Sequence, residues 1–116
     1  WGVDFGLIDK SGRLLENPVH YRDNRTAGTS DYSKRFIDHN RLYEKTGIQI
    51  MEINTAFQLL SIIRDRSELL DRADKMLMMP DLFAYYLGAK PVAEMSIAST
   101  TQLFDANTKT WSDDLK

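Results

Sequence analysis

The apolar positions of this chain change their spacing near residue 23. Before it they fall in short runs: Val3, Phe5, Leu7 and Ile8, then Leu14 and Leu15, then Val19. Short apolar runs rich in β-branched and aromatic residues predict strand. Residues 3–9 are therefore read as a first strand, in which Gly2 and Gly6 permit close backbone approach. Asp9-Lys10-Ser11-Gly12 has turn chemistry, because the carboxylate can accept from nearby backbone and the glycine can take a positive φ. Residues 13–16 would return as the antiparallel partner and complete a hairpin. Pro18 suits an edge position, and residues 19–22 would be a third extended piece.

From residue 29 the spacing is helical. Ser30 is a candidate N-cap, followed by a modest apolar face of Tyr32, Phe36 and Ile37. Asp38 can cap a second helix carrying Leu42 and Tyr43, which Lys45 and Gly47 would end. Residues 48–53 alternate like a strand and read equally well as a buried connector. The strongest helix starts at Asn54-Thr55, with Ala56, Leu59, Leu60, Ile62 and Ile63 as its apolar face and Arg64-Asp65-Arg66 at its wet end. Ser67 to Asp71 opens a short helix, and residues 76–79 form a wholly apolar buried segment. Pro80 stands at the first position of a helix filled by Leu82, Phe83, Tyr85, Tyr86 and Leu87; Gly88 closes it and Pro91 prevents its continuation. Residues 94–101 predict a short helix or turn, 102–104 an extended piece and 105–108 a turn. Trp111 begins a last element, with Ser112 as its N-cap. A chain that opens on strand material without Met and closes on an incipient helix suggests a piece of something longer.

Composition narrows the classes. The chain has 116 residues, 42% hydrophobic and 28% charged, enough for one modest globular domain. Its formal charge is -2, and no basic patch stands out, which argues against nucleic acid and anionic membrane surfaces as partners. There is no cysteine, so neither disulfides nor a thiolate metal site arise, in keeping with a cytoplasmic location. No apolar run is long enough to cross a membrane, and the opening does not read as a signal peptide.

The densest candidate chemistry is Pro18-Val19-His20-Tyr21-Arg22-Asp23-Asn24-Arg25-Thr26. It combines an aromatic ring with directional hydrogen-bonding groups behind a short apolar run. Aromatic faces lie against sugar C–H surfaces, while Asp, Asn and Arg bond hydroxyls. The structural alternative is a polar loop whose Asp and Arg residues pair and cap a helix. Asp4-Phe5-Gly6 matches short nucleotide-site motifs of protein kinases and of actin-like ATPases, but the companion loops of a protein kinase are missing, and a strand containing a glycine explains it as well. Walker A, dinucleotide and HExxH motifs are absent. His20 and His39 lack a second ligand at metal spacing, and Ser99-Thr100-Thr101 lacks a nearby base.

Taken together, several segments carry a resemblance. Trp1-Gly2-Val3-Asp4-Phe5, the Pro18–Thr26 run, Gly47-Ile48-Gln49, Asn54-Thr55 with Gln58-Leu59, Met79-Pro80-Asp81-Leu82-Phe83 and Ala98-Ser99-Thr100-Thr101-Gln102-Leu103 come in the order seen in FGGY carbohydrate kinases. The pattern departs at Leu87-Gly88-Ala89 and at Glu94-Met95-Ser96. The resemblance implies an α/β fold of the actin-like, ribonuclease-H-like type. The chain, α+β as an isolated fragment, would be part of the N-terminal domain: strands and a short β-hairpin edge over 1–23, then a mainly helical sugar-side region over 24–116. It implies transfer of the γ-phosphoryl of ATP, with Mg²⁺, to a hydroxyl of a ketose, L-rhamnulose first, with L-fuculose, xylulose or glycerol as rivals. A non-catalytic helical binding module is the rival from another class. The catalytic base would lie downstream and the first phosphate loop upstream, so that no catalytic or metal residue falls in this chain, which alone would bind no cofactor and be inactive. Its partners would be a small sugar and the remainder of the kinase polypeptide. Residue by residue, the resemblance implies that Gly2 is a backbone position touching the sugar, that the Tyr21 ring lies along it, and that Asn54 falls near a further contact. Asp23 and Arg25 would scaffold the loop.

Overall fold

A computed structural model describes residues 1–115; Lys116, the end of the expected last helix, lies outside the described residues. The chain is built around a two-stranded antiparallel ribbon. Strand β1 (Phe5–Ile8) pairs with β2 (Lys75–Met78), Phe5 opposite Met78 and Ile8 opposite Lys75. All four residues of β1 are buried. Side chains alternate across a strand, so Phe5 and Leu7 join Met78 on one face while Ile8 joins Leu77 on the other. Helices cover both faces. Ile62 of α3 (Thr55–Asp65) and Leu69 of α4 (Glu68–Asp71) close the first, and Leu82 of α5 (Met79–Tyr86) closes the second.

The partner of β1 differs from the expected one. Residues 13–16 supply only a bridge between Leu14 and Ile8 and a hydrogen bond from Leu15 N to Leu7 O at 2.9 Å. The Asp9–Gly12 turn forms as read, with Gly12 N donating to Asp9 O and Gly12 at φ +81°. The regular partner is Lys75–Met78, so that three of the four residues of the apolar 76–79 segment are strand and Met79 opens α5. Four apolar residues show no period of their own, and only distant pairing makes three of them strand. The third extended piece is likewise missing: residues 21–22 turn, with Asp23 N bonding His20 O at 2.9 Å.

The helices follow their local signals closely. In α2 (His39–Thr46), Asp38 Oδ1 accepts from the amides of Asn40 and Arg41, and Gly47 ends the helix at φ +68°. Pro80 lies in the first turn of α5. Ser30 is no cap: it lies inside α1 (Thr29–Ser33), whose N-cap is Gly28 at φ +76°. A short α6 (Met95–Ala98) is capped by Glu94, whose carboxylate accepts from the amides of Ser96 and Ile97. Among the described residues the chain ends in a turn over 113–115, in which Leu115 N bonds Ser112 O at 3.2 Å, and Trp111 ahead of it is strand. Thr110–Trp111 is β4, paired with β3 (Phe104–Asp105), and Ser112 N bonds Leu103 O. Phe104 pairs with Trp111, their rings edge to face at 5.8 Å, which fixes the strand ahead of Ser112.

Candidate functional site

The buried face of α3 is only in part the apolar one read from the sequence: Ile62 is in the core and Leu59 packs against it. Thr55, Phe57, Gln58, Ser61 and Ile62 are buried, while Ala56, Leu59 and Leu60 are partly exposed and Ile63 is exposed. Polar residues can occupy a core-facing stripe when each finds a partner. Thr55 Oγ1 donates to Val3 O at 2.9 Å, and Gln58 Nε2 donates to Val3 O at 3.1 Å and to Ile53 O at 2.9 Å. Gln58 Oε1 accepts from Arg25 Nη2 at 3.0 Å. The first turns of α3 thus grip the chain's opening residues and the 23–27 loop together.

That loop is held at a second point. Arg64 donates to Arg25 O at 2.8 Å and to Ala27 O at 3.1 Å. Asp23 Oδ1 accepts from Arg25 N at 2.8 Å and caps a 3₁₀ turn, Asn24–Thr26. The Asp23 reading as scaffold and the alternative of a capping loop residue describe the same geometry. The Arg25 guanidinium lies 5.9 Å from the centre of the Phe5 ring. Burial draws its pKa below the usual arginine range, opposed by the charges of Asp23 and Asp4.

The three candidate sugar contacts sit on this frame in different ways. Gly2 lies in a turn closed by Asp4 N to Trp1 O at 3.2 Å. A Cβ there would meet Ile97 Cδ1 at 3.5 Å, an ordinary contact, and its φ is not positive. Nothing in this chain's own packing therefore demands glycine at position 2. Asn54 is buried at the N-cap of α3 but does not cap it; its Nδ2 donates to Gln49 O at 2.8 Å and to Gln102 Oε1 at 2.9 Å. Gln102, in turn, donates to Ile48 O at 3.0 Å and adopts φ +62° rather than the extended form expected of 102–104. Tyr21 is half-buried, stacked on His20 at 4.4 Å, and its hydroxyl accepts from Arg22 Nε at 3.0 Å. Val3, next to Gly2, and Asn54 thus meet at the start of α3, whereas the ring and hydrogen-bond contacts of Tyr21 are with its chain neighbours.

Two buried carboxylates add polar character that sequence reasoning missed. Asp4 Oδ1 and Asp81 Oδ2 have no hydrogen-bond partner among the described residues. Asp4 directly follows the Gly2-Val3 segment, and its carbonyl accepts from Met79 N at 3.0 Å, the start of α5. Asp81 accepts from Glu94 N at 3.2 Å through its other oxygen, and burial raises its pKa. Gln58 and Gln102 are likewise fully buried and hydrogen-bonded. The signal that could have found them is glutamine on the core side of a helical or capping pattern, where only a hydrogen-bonded amide is tolerated. Among the described residues no three His, Asp or Glu side chains gather as a metal-holding group, and none of the helices is long and apolar enough to cross a membrane.

A helix-covered ribbon of this kind is the architecture of one part of the actin-like sugar kinases. A ligand-bound xylulose kinase from Lactobacillus acidophilus superimposes with a TM-score of 0.86 at 21% identity, covering 97% of this chain and 23% of that one. Residues 1–116 match the model of the FGGY family of carbohydrate kinases, N-terminal domain, and the chain belongs to that family. It is 46% identical over 109 residues to a rhamnulokinase from Bacteroides thetaiotaomicron, covering 94% of this chain and 22% of that protein. It is 44% identical over 116 residues to a rhamnulokinase from Enterococcus faecalis, covering 99% of this chain and 23% of that protein. The chain therefore spans less than a quarter of the length of these relatives.

Proposed function

We propose that the full-length protein carrying this chain phosphorylates a ketose, L-rhamnulose first, and that this chain supplies part of the wall that binds the sugar. The observation that carries the reading is the identity to two rhamnulokinases along nearly the whole chain. The geometry supports it in a specific way. Position 2 is glycine although the chain's own packing would accept a side chain, as expected where a ligand approaches the backbone. The adjacent Val3 carbonyl is pinned by two hydrogen bonds from α3, and Asn54 is fixed by both of its amide N–H groups.

In this reading Gly2 admits the sugar, Tyr21 offers its ring face to the C–H surface, and Asn54 shapes a further contact. ATP with Mg²⁺ would supply the γ-phosphoryl group. As the family resemblance implies, the donor site and the catalytic base are assigned to the rest of the polypeptide. Work in the cytoplasm agrees with the absence of cysteine.

The test is an ADP-release assay on the full-length protein with L-rhamnulose, L-fuculose, L-xylulose, D-xylulose and glycerol, repeated with Tyr21→Ala. L-rhamnulose is expected to be preferred, and Tyr21→Ala to raise the sugar KM at least about tenfold, a loss of roughly 1.4 kcal/mol, with little change in the ATP KM. Preference for another sugar would keep the chemistry and correct the substrate. Absence of turnover with all of them in a folded protein would favour a binding module.

A further inference from the structure

We propose that Gln58 is a positioning residue that sets the three sugar-contacting segments relative to one another. This rests on the sugar-wall reading above and goes beyond its contact residues. The Gln58 side chain is fully buried, and one amide uses three of its four bonding positions on three separate stretches of chain. Both N–H groups are spent on backbone carbonyls. One is that of Val3, immediately after Gly2, and the other that of Ile53, immediately before Asn54. The remaining oxygen receives Arg25, whose amide is held by the Asp23 cap of the turn that follows Tyr21. Those partners lie 55, 5 and 33 residues away along the chain.

Other bonds tie these pieces in pairs. Thr55 reaches only Val3 O of the three segments, Arg64 holds only the 25–27 backbone, and Asn54 and Gln102 hold 48–49. Among the described residues, no other side chain is hydrogen-bonded to all three segments. Its loss takes the side-chain donor from the part-buried Ile53 carbonyl, leaves Thr55 as the one side-chain donor to the Val3 carbonyl, and leaves a half-buried guanidinium short of an acceptor, which favours rearrangement of all three partners. A shift of an ångström in a binding wall is enough to cost substrate turnover heavily.

The experiment uses the full-length protein and compares Gln58→Met, Gln58→Glu, Leu69→Ala and Tyr21→Ala. Gln58→Met keeps bulk and removes all three bonds. It is expected to lower kcat/KM for the sugar by roughly 10- to 100-fold, mainly through sugar KM, with the ATP KM within about twofold. Gln58→Glu keeps an acceptor for Arg25 but turns an oxygen toward the two carbonyls. Its sugar KM should be raised at pH 8 and recover in part as pH falls and the carboxyl regains one donor proton for one of the two carbonyls. Leu69→Ala loosens the core beside β1 without touching the network and should lower the melting temperature with sugar KM unchanged. If Tyr21→Ala raises sugar KM while folded Gln58→Met does not, or if Leu69→Ala raises it equally, the positioning role is overturned and the sugar-wall reading stands. If Tyr21→Ala leaves sugar KM unchanged, the sugar-wall reading fails and this inference falls with it. Should Gln58→Met not fold, the pH response of Gln58→Glu decides: a sugar KM that does not recover at low pH overturns the role.

Discussion

Two glycines four residues apart should fail in opposite ways when a side chain is added. Gly6 sits in β1 on the face shared with Ile8, Leu77 and Leu82. A Cβ there would lie 2.8 Å from Leu14 Cδ1 and 2.8 Å from Leu82 Cδ2. Carbon atoms rest at about 3.5–4.0 Å, so each methyl must retreat by close to an ångström. Leu14 is only half-buried and can swing outward; Leu82 is locked against Leu77 and Ile8. Overpacking of this kind costs about 1–3 kcal/mol, and the stiffer unfolded chain returns roughly 0.4–1 kcal/mol. The net destabilisation of Gly6→Ala should be about 1–2 kcal/mol, which accelerates amide exchange governed by opening of the ribbon by roughly 5–30-fold.

At Gly2 the same addition meets one methyl at 3.5 Å and no left-handed backbone. Gly2→Ala should therefore shift local stability by no more than about 0.5 kcal/mol. Its effect belongs to the ligand: Gly2→Ala should raise sugar KM, and Gly2→Val should abolish turnover in a folded protein. The assay is hydrogen exchange by mass spectrometry across β1 and β2 of the full-length protein, run beside sugar kinetics. Exchange avoids any assumption that a large protein unfolds in one step. The reasoning is refuted if Gly2→Val turns over normally, or if Gly2→Ala speeds exchange in the ribbon as much as Gly6→Ala does.

Two carboxylates predict opposite responses to pH. Asp9 accepts from the Ser11 hydroxyl and from the amides of Ser11 and Arg13, which lower its pKa from 3.8 to about 2. Its ionised form favours the folded turn, so its contribution is full above pH 3.8 and is lost as pH falls toward 2; side-chain NMR titration should find the low value, and Asp9→Asn should remove that part of the acid slope. Asp81 is raised above 3.8 by burial, so its ionisation works against the fold as pH climbs past that value. Asp81→Asn should flatten this decline while its oxygen still accepts from Glu94 N; an unchanged decline in melting temperature would refute the assignment.

The limits of the sequence reading follow from the range of the interactions. The Asp38 cap and the Gly47 stop of α2 act within a single turn, so their residue types are enough to locate them. The partner of β1 is some seventy residues away, and neither strand carries a label for the other; the nearer 13–16 segment was the economical choice and forms only the bridge. The site was hidden for a different reason. Hydrophobic patterning on α3 favoured Ala56, Leu59, Leu60, Ile62 and Ile63; of these Ile62 is buried, and Thr55, Gln58 and Ser61 are turned inward beside it. Their partners are largely carbonyl oxygens, those of Val3, Ile53 and, for Ser61, Gln58 itself. A backbone acceptor leaves no trace in residue type, so only the Arg25–Gln58 and Asn54–Gln102 pairs of side chains could have hinted at the network. Resemblance supplied the residues expected to face the sugar, and the folded chain supplies what holds them. Substitution of Val3 or Ile53 leaves those carbonyls in place, whereas substitution of Gln58 removes the donor they share, so the hold on these segments is concentrated in that amide.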